Sequence, residues 1–225
     1  MSPTKLTPAA RAAEKGPLVY LVDDDEAIRD SLGLLLRSVG LDCAVYASAL
    51  EFLGAYDPAR HSCLVADIRM PGLSGLELQQ RLNEQHASVP VIFITGHGDV
   101  PMAVNAMKSG AADFIQKPFR DQDLIDRIHK ALAKDREQRA SRAEEDAVRA
   151  RLATLTPRET EVMRRVVRGQ ANKVIALDLG VSQRTVELHR ARVMRKLKMR
   201  SLADLVSTVG KVLERDEASG TAAAR

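Results

Sequence analysis

Short apolar runs recur through the first half of the chain, most of them closed by polar or turn-forming residues. They fall at 18–22 (LVYLV), 42–46 (DCAVY), 63–66 (CLVA), 91–94 (VIFI) and 113–116 (DFIQ). Such runs are too short for a helical period, and most are too continuously apolar for a strand with one wet face. They predict strands of a parallel sheet covered on both sides. Between them the spacing turns helical. Ile28, Leu32, Leu35 and Leu36 share one face of the stretch 26–39, which Gly40 ends. Similar patterns predict helices over 48–55, about 73–85, about 100–109 and from about 121 onward. Five strands alternating with five helices predict an α/β domain with a doubly wound, five-stranded parallel sheet of the flavodoxin-like kind.

The pattern changes after residue 133. Leu124, Ile128 and Leu132 recur at i+4, but residues 134–155 are dense in Arg, Glu and Ala and lose the apolar stripe. They read as a solvated helical linker running on from the helix before it. At Thr156-Pro157-Arg158-Glu159 a capping box with Pro at the first helical position opens a second, all-α domain, 156–215. Four helices are predicted there: to about Arg168, over 172–179, from the Ser182 cap to about Lys198, and over 202–213. Gly180 supplies the turn between the second and the basic third, which is the pattern of a helix-turn-helix. Residues 1–16 read as a disordered lead-in and 216–225 as a disordered tail. The domain expected to carry the sheet is thus 17–133.

Charge separates the halves further. Residues 17–133 carry 10 Lys/Arg against 16 Asp/Glu, a net of −6, whereas 156–215 carry 14 against 6, a net of +8. A basic second domain implies a polyanionic partner. No apolar run approaches the length of a membrane span, and the N-terminus lacks a signal-peptide core, so a cytoplasmic protein is expected. Cys43 and Cys63 have no metal-ligand spacing and read as reduced core residues.

Candidate chemistry lies where the predicted strands end. Asp23 and Asp24 follow the first strand, Asp67 ends the third ahead of Pro71-Gly72, Thr95 ends the fourth and Lys117 follows the fifth. In a parallel sheet these positions share the carboxyl edge, where such sheets bind ligands. Three gathered carboxylates resist ionising together, and a divalent cation resolves the conflict. Mg2+ suits a few hard oxygens and a phosphate. A carboxylate can also attack a phosphoryl group to give an aspartyl phosphate, with a lysine and a hydroxyl to neutralise the transferred oxygens. Asp25 reads as a charge favourable to a helix N-terminus, and His97 is given no role.

The motifs VDDD, DIRMPG, ITGHGDVPMAV and DFIQKPF, at their intervals through 17–133, resemble a two-component response-regulator receiver. The stretch LTPRETEVM…NKVIALDLGVSQRTVELHRARVMRKL resembles a LuxR-type helix-turn-helix, and the pair resembles FixJ-type transcriptional regulators. The resemblance implies that Asp67 is the phosphorylated nucleophile. It implies a Mg2+ shell of Asp24, Asp23 (mostly through water), Asp67 and the backbone carbonyl of Arg69. Thr95 would be the switch hydroxyl, Phe114 the switch aromatic and Lys117 the phosphate-pairing lysine. On the third helix of the basic domain, Arg184, Thr185, Glu187, Leu188, His189, Arg190 and Arg192 would face double-stranded promoter DNA. Glu187 stands where many LuxR-type helices carry a basic residue, so the sequence preference is left open.

A transcriptional regulator rather than an enzyme is therefore expected, with a sensor histidine kinase as donor, a homodimer on phosphorylation and RNA polymerase as a further candidate partner. A binding protein in which both domains serve protein–protein contacts is one rival, and the other is an aspartyl-phosphate hydrolase on a similar sheet. Such enzymes usually place a second Asp two residues beyond the nucleophile, where this chain has Arg69.

Overall fold

The structure, a computed structural model, describes residues 16–96 and 100–222. His97 and nearly all of the expected lead-in lie outside the described residues, as do 223–225. The chain divides into two compact units, 1–139 and 140–225.

In the first unit the strands are β1 (Leu18–Val22), β2 (Asp42–Tyr46), β3 (Ser62–Asp67), β4 (Val91–Thr95) and β5 (Asp113–Gln116). They form one parallel sheet in the order β2-β1-β3-β4-β5. The helices are α1 (Glu26–Ser38), α2 (Ala49–Ala55), α3 (Gly75–Glu84), α4 (Val100–Lys108) and α5 (Asp121–Leu152). Alternate side chains of each strand feed opposite layers. Tyr20, Leu64 and Phe93 meet Phe52 of α2 and Leu78 of α3, while Leu21, Val65 and Ile92 meet Leu36 of α1 and Ile128 of α5. Double coverage is why these strands are continuously apolar. Cys43 and Cys63 are unpaired, and burial pushes the Cys43 thiol up to about 11.

Helix α5 runs unbroken through most of the expected linker, to Leu152, but its middle is not simply solvated. Asp135 is fully buried: its Oδ2 accepts from the Ser62 backbone N–H at 3.1 Å and from Arg139 Nε at 2.6 Å. Arg139 also donates to the carbonyls of Pro58 and Ala59, each at 3.0 Å, and His61 Nε2 lies 2.9 Å from the Leu132 carbonyl. Two turns of α5 are thereby bonded to the loop that enters β3. Asp135 and Arg139 are thus held against the sheet unit, while Lys134, Arg136, Glu137 and Gln138 stay exposed as a solvated helix would have them.

The second unit holds α6 (Pro157–Val167), α7 (Asn172–Leu179), α8 (Gln183–Leu197) and α9 (Leu202–Ala222) around Val162, Ile175, Val186, Val193, Leu205 and Val209. Val148, in the C-terminal part of α5, is buried as well. Gly180, at φ 63°, takes the left-handed conformation that the turn between α7 and α8 requires. Helix α9 continues to Ala222, beyond the end expected near 213, so 216–222 are helical where a tail was expected. Glu214, Arg215, Glu217 and Ala218 favour helix, and no proline stops them.

Thr156 caps α6 in the predicted capping box. Glu159 is buried there, and its Oε2 accepts from Lys196 Nζ at 2.6 Å and from the Thr156 N–H at 2.9 Å. The Lys196 ammonium, with the Thr156 N–H, holds the Glu159 carboxyl at about 2, below its usual 4.5. A depressed folded-state value contributes stability that is present above pH 4.5 and lost as pH falls toward 2. Glu159→Gln keeps the cap but not the ion pair. It is expected to remove that acid sensitivity from the melting curve of the second unit while lowering its stability at neutral pH. Parallel pH profiles for variant and unaltered chain would disprove the assignment.

Candidate functional site

Four of the five strands deliver a residue to one edge. Lys117 Nζ stands 3.1 Å from Asp23 Oδ2 and 3.5 Å from Asp67 Oδ2, linking the ends of β1, β3 and β5. Oxygen atoms of Asp23, Asp24 and Asp67 all lie within 4.8 Å of one another. Asp23 is buried, Asp67 half-buried and Asp24 exposed, so the cluster opens to solvent on the Asp24 side. Burial pushes the Asp23 carboxyl up. The Asp25 N–H and Lys117 oppose this, and the Asp67 charge adds to it. Three hard oxygens on an open edge, with Lys117 already paired to two of the carboxylates, fit a small divalent cation that keeps several waters.

Thr95 is buried at the end of β4, and its carbonyl accepts from the Lys117 N–H at 2.7 Å. Phe114 lies beside Phe93 in the ladder and is half-buried against the core. Arg69 is exposed, and its N–H reaches Asp67 Oδ1 at 3.2 Å. Asp25 caps α1 by accepting from the Ala27 and Ile28 N–H groups.

Two residues of this edge escaped the sequence reading. Arg29 Nη1 donates to the carbonyls of Asp23 at 2.8 Å and Asp24 at 2.9 Å. A cation near a helix N-terminus runs against the helix dipole, and that was its one visible signal. Gly75 packs so closely that a Cβ there would sit 2.3 Å from the Asp67 carbonyl oxygen. Gly75→Ala is therefore expected to displace the Asp67 backbone and lower stability by about 1–3 kcal/mol. An unchanged denaturation midpoint would show that α3 can shift freely.

In the second unit α8 sorts its candidates. Arg184, Glu187, Leu188 and Arg192 are exposed, with Ala191 and Arg195 extending the same face. The other three are half-buried. Thr185 shares its hydroxyl with the Ser182 cap at 2.8 Å, His189 Nδ1 is buried with no hydrogen-bond partner among the described residues, and Arg190 Nη1 donates to Asn172 Oδ1 at 2.5 Å. Arg195 was missed, although it lies one turn beyond Arg192.

Residues 19–129 match the family described as response regulator receiver domain, and 153–209 match the bacterial regulatory proteins of the luxR family. The transcriptional regulatory protein FixJ of Azorhizobium caulinodans is 50% identical over 188 residues, 84% of this chain and 89% of the relative. Nodulation protein W of Bradyrhizobium diazoefficiens is 47% identical over 189 residues, 84% and 83% of the two chains. This chain is a response regulator. The solved structure of the response regulator StyR covers 87% of it and 98% of its own length at 45% identity, with a TM-score of 0.76. A receiver joined to a LuxR-type DNA-binding domain makes the response regulator a transcriptional regulator of the two-component kind. Among the described residues no helix is long and apolar enough to cross a membrane.

Proposed function

We propose that Asp67 accepts a phosphoryl group from a sensor histidine kinase and that the modified receiver promotes DNA binding by the second unit. The observation that carries this reading is Lys117 Nζ bridging Asp23 and Asp67 at 3.1 and 3.5 Å, on an edge where a third carboxylate stays exposed. An Asp67 carboxylate oxygen attacks phosphorus, the phosphorus–nitrogen bond of the donor breaks, and its electron pair leaves with the imidazole. Asp23, Asp24, Asp67 and the Arg69 carbonyl would hold Mg2+, which neutralises charge on the phosphoryl oxygens. Lys117 pairs with a second phosphoryl oxygen, and the Thr95 hydroxyl donates to a third.

Drawing Thr95 inward leaves room for Phe114 to repack, which alters the face formed by α4 and β5. A homodimer through that face presents two DNA-binding units to paired half-sites. Arg184, Arg192 and Arg195 meet phosphates or base edges, Leu188 a thymine methyl and Glu187 a cytosine amino group. Thr185, His189 and Arg190 support the helix from its inner side. RNA polymerase is the expected downstream partner and the cytoplasm the expected compartment.

Gel-shift titration of the full-length chain tests the output. Coupling of ordinary size predicts a rise in DNA affinity of roughly 5–150-fold with a small phosphodonor. Arg192→Ala should weaken binding and reduce the salt slope by about 1, with the helical circular dichroism intact. Affinity indifferent to both donor and salt would refute the reading.

A further inference from the structure

We infer that Arg29 is a positioning residue for the divalent cation: its guanidinium holds the Asp23–Asp24 backbone so that both carboxylates stay grouped with Asp67. The inference rests on the cation-binding reading of the acidic edge given above.

The turn after β1 must keep two like charges beside a third, and their repulsion favours a different backbone path. Asp23 has several restraints against this. Its N–H donates to the Tyr46 carbonyl at 3.3 Å, its Oδ1 accepts from the Asp25 N–H at 2.9 Å, and its Oδ2 accepts from Lys117. Asp24 has almost none. It is exposed, and among the described residues its hydrogen bonding is the 2.9 Å contact of its carbonyl with Arg29 Nη1. The same nitrogen reaches the Asp23 carbonyl at 2.8 Å, so one donor spans the two adjacent peptide groups. The residue with least support of its own is thus the one whose carboxylate opens to solvent.

Arg29 acts on the backbone rather than on the carboxylates. Its two contacts with this turn are both to main-chain carbonyls. Its placement also carries a cost, because a cation one turn into α1 opposes the helix dipole. Two charge-assisted bonds to carbonyls offset that cost. Partners behind a ligand typically change metal affinity by about 10–100-fold when removed.

The test is calorimetric titration of the full-length chain with Mg2+, alongside metal-free thermal melts. Arg29→Met keeps the apolar stem and removes the donors. Arg29→Gln is too short to span both carbonyls, and Arg29→Lys restores charge and donors. Met and Gln are expected to lower Mg2+ affinity about tenfold with only a small change in the metal-free melt, and Lys to recover most of the loss. A purely structural arginine predicts the opposite pattern: a lower metal-free melt and unaltered Mg2+ affinity in the protein that remains folded. That result overturns the inference. If Arg29→Met does not fold, Arg29→Gln decides alone. Should the unaltered chain itself bind no Mg2+, the reading of the acidic edge fails first, and the role of Arg29 falls with it.

Discussion

Asp67→Asn is expected to take up no phosphoryl group from a small phosphodonor, and chelation of Mg2+ is expected to silence the unaltered chain in the same assay. Both effects follow from charge. Two unit charges about 4.8 Å apart repel by roughly 3.5 kcal/mol at an effective dielectric of about 20, and the edge holds three such pairs. Lys117 offsets part of this toward Asp23 and Asp67 but does not contact Asp24. A dianionic phosphate brought to Asp67 adds more negative charge, which the protein's own cation cannot balance. The amide of Asn removes both the nucleophilic oxygen and one ligand atom. An acid-stable, base-labile adduct, read by intact mass and mapped to Asp67, is the expected product. Full labelling of Asp67→Asn, or labelling that ignores chelation, would move the phosphoacceptor elsewhere.

Asp135→Ala is expected to destabilise the first unit by about 3–5 kcal/mol, the range for breaking a buried charged pair. The substitution strips the Ser62 N–H of its acceptor and leaves Arg139 half-buried without its carboxylate. Asp135→Asn should lose less, because an amide oxygen can still accept from Ser62. Hydrogen exchange should show the effect first in α5 around 132–139, which the cluster ties to the loop entering β3. A loss below about 1 kcal/mol in denaturant melts of Asp135→Ala would mean that the apolar stripe of Leu124, Ile128 and Leu132 holds the helix alone.

Much of the site was legible in the chain because its logic is short-range. Most of the apolar runs end in a polar residue, and parallel connections place those ends on one edge. Asp23, Asp67, Thr95 and Lys117 could therefore be grouped from the sequence, and in the structure Lys117 lies against both Asp23 and Asp67. The four helices of the second unit were legible for a similar reason. The capping box at Thr156, the Gly180 turn and the Ser182 cap are local signals whose geometry involves three or four residues.

What stayed hidden depends on approach between distant segments or on the rotation of a helix. Asp135 and Arg139 look like members of a solvated charge run, and only the packing of α5 across the sheet brings them to residues 58–62. The exposed face of α8 follows from how Val186 and Val193 dock into the core. That docking sends Arg190 to Asn172 and leaves Arg195 outside, a choice that helical spacing alone does not make. Gly75 shows the same limit at the smallest scale. The sequence by itself determined the order of elements, the acidic receiver edge and the basic output helix, since periodicity, caps and charge act within a few residues. The tertiary structure alone decided which residues pack against that edge, because a close backbone approach at Gly75 and two shared carbonyls at Arg29 exist only once the strands and helices have packed.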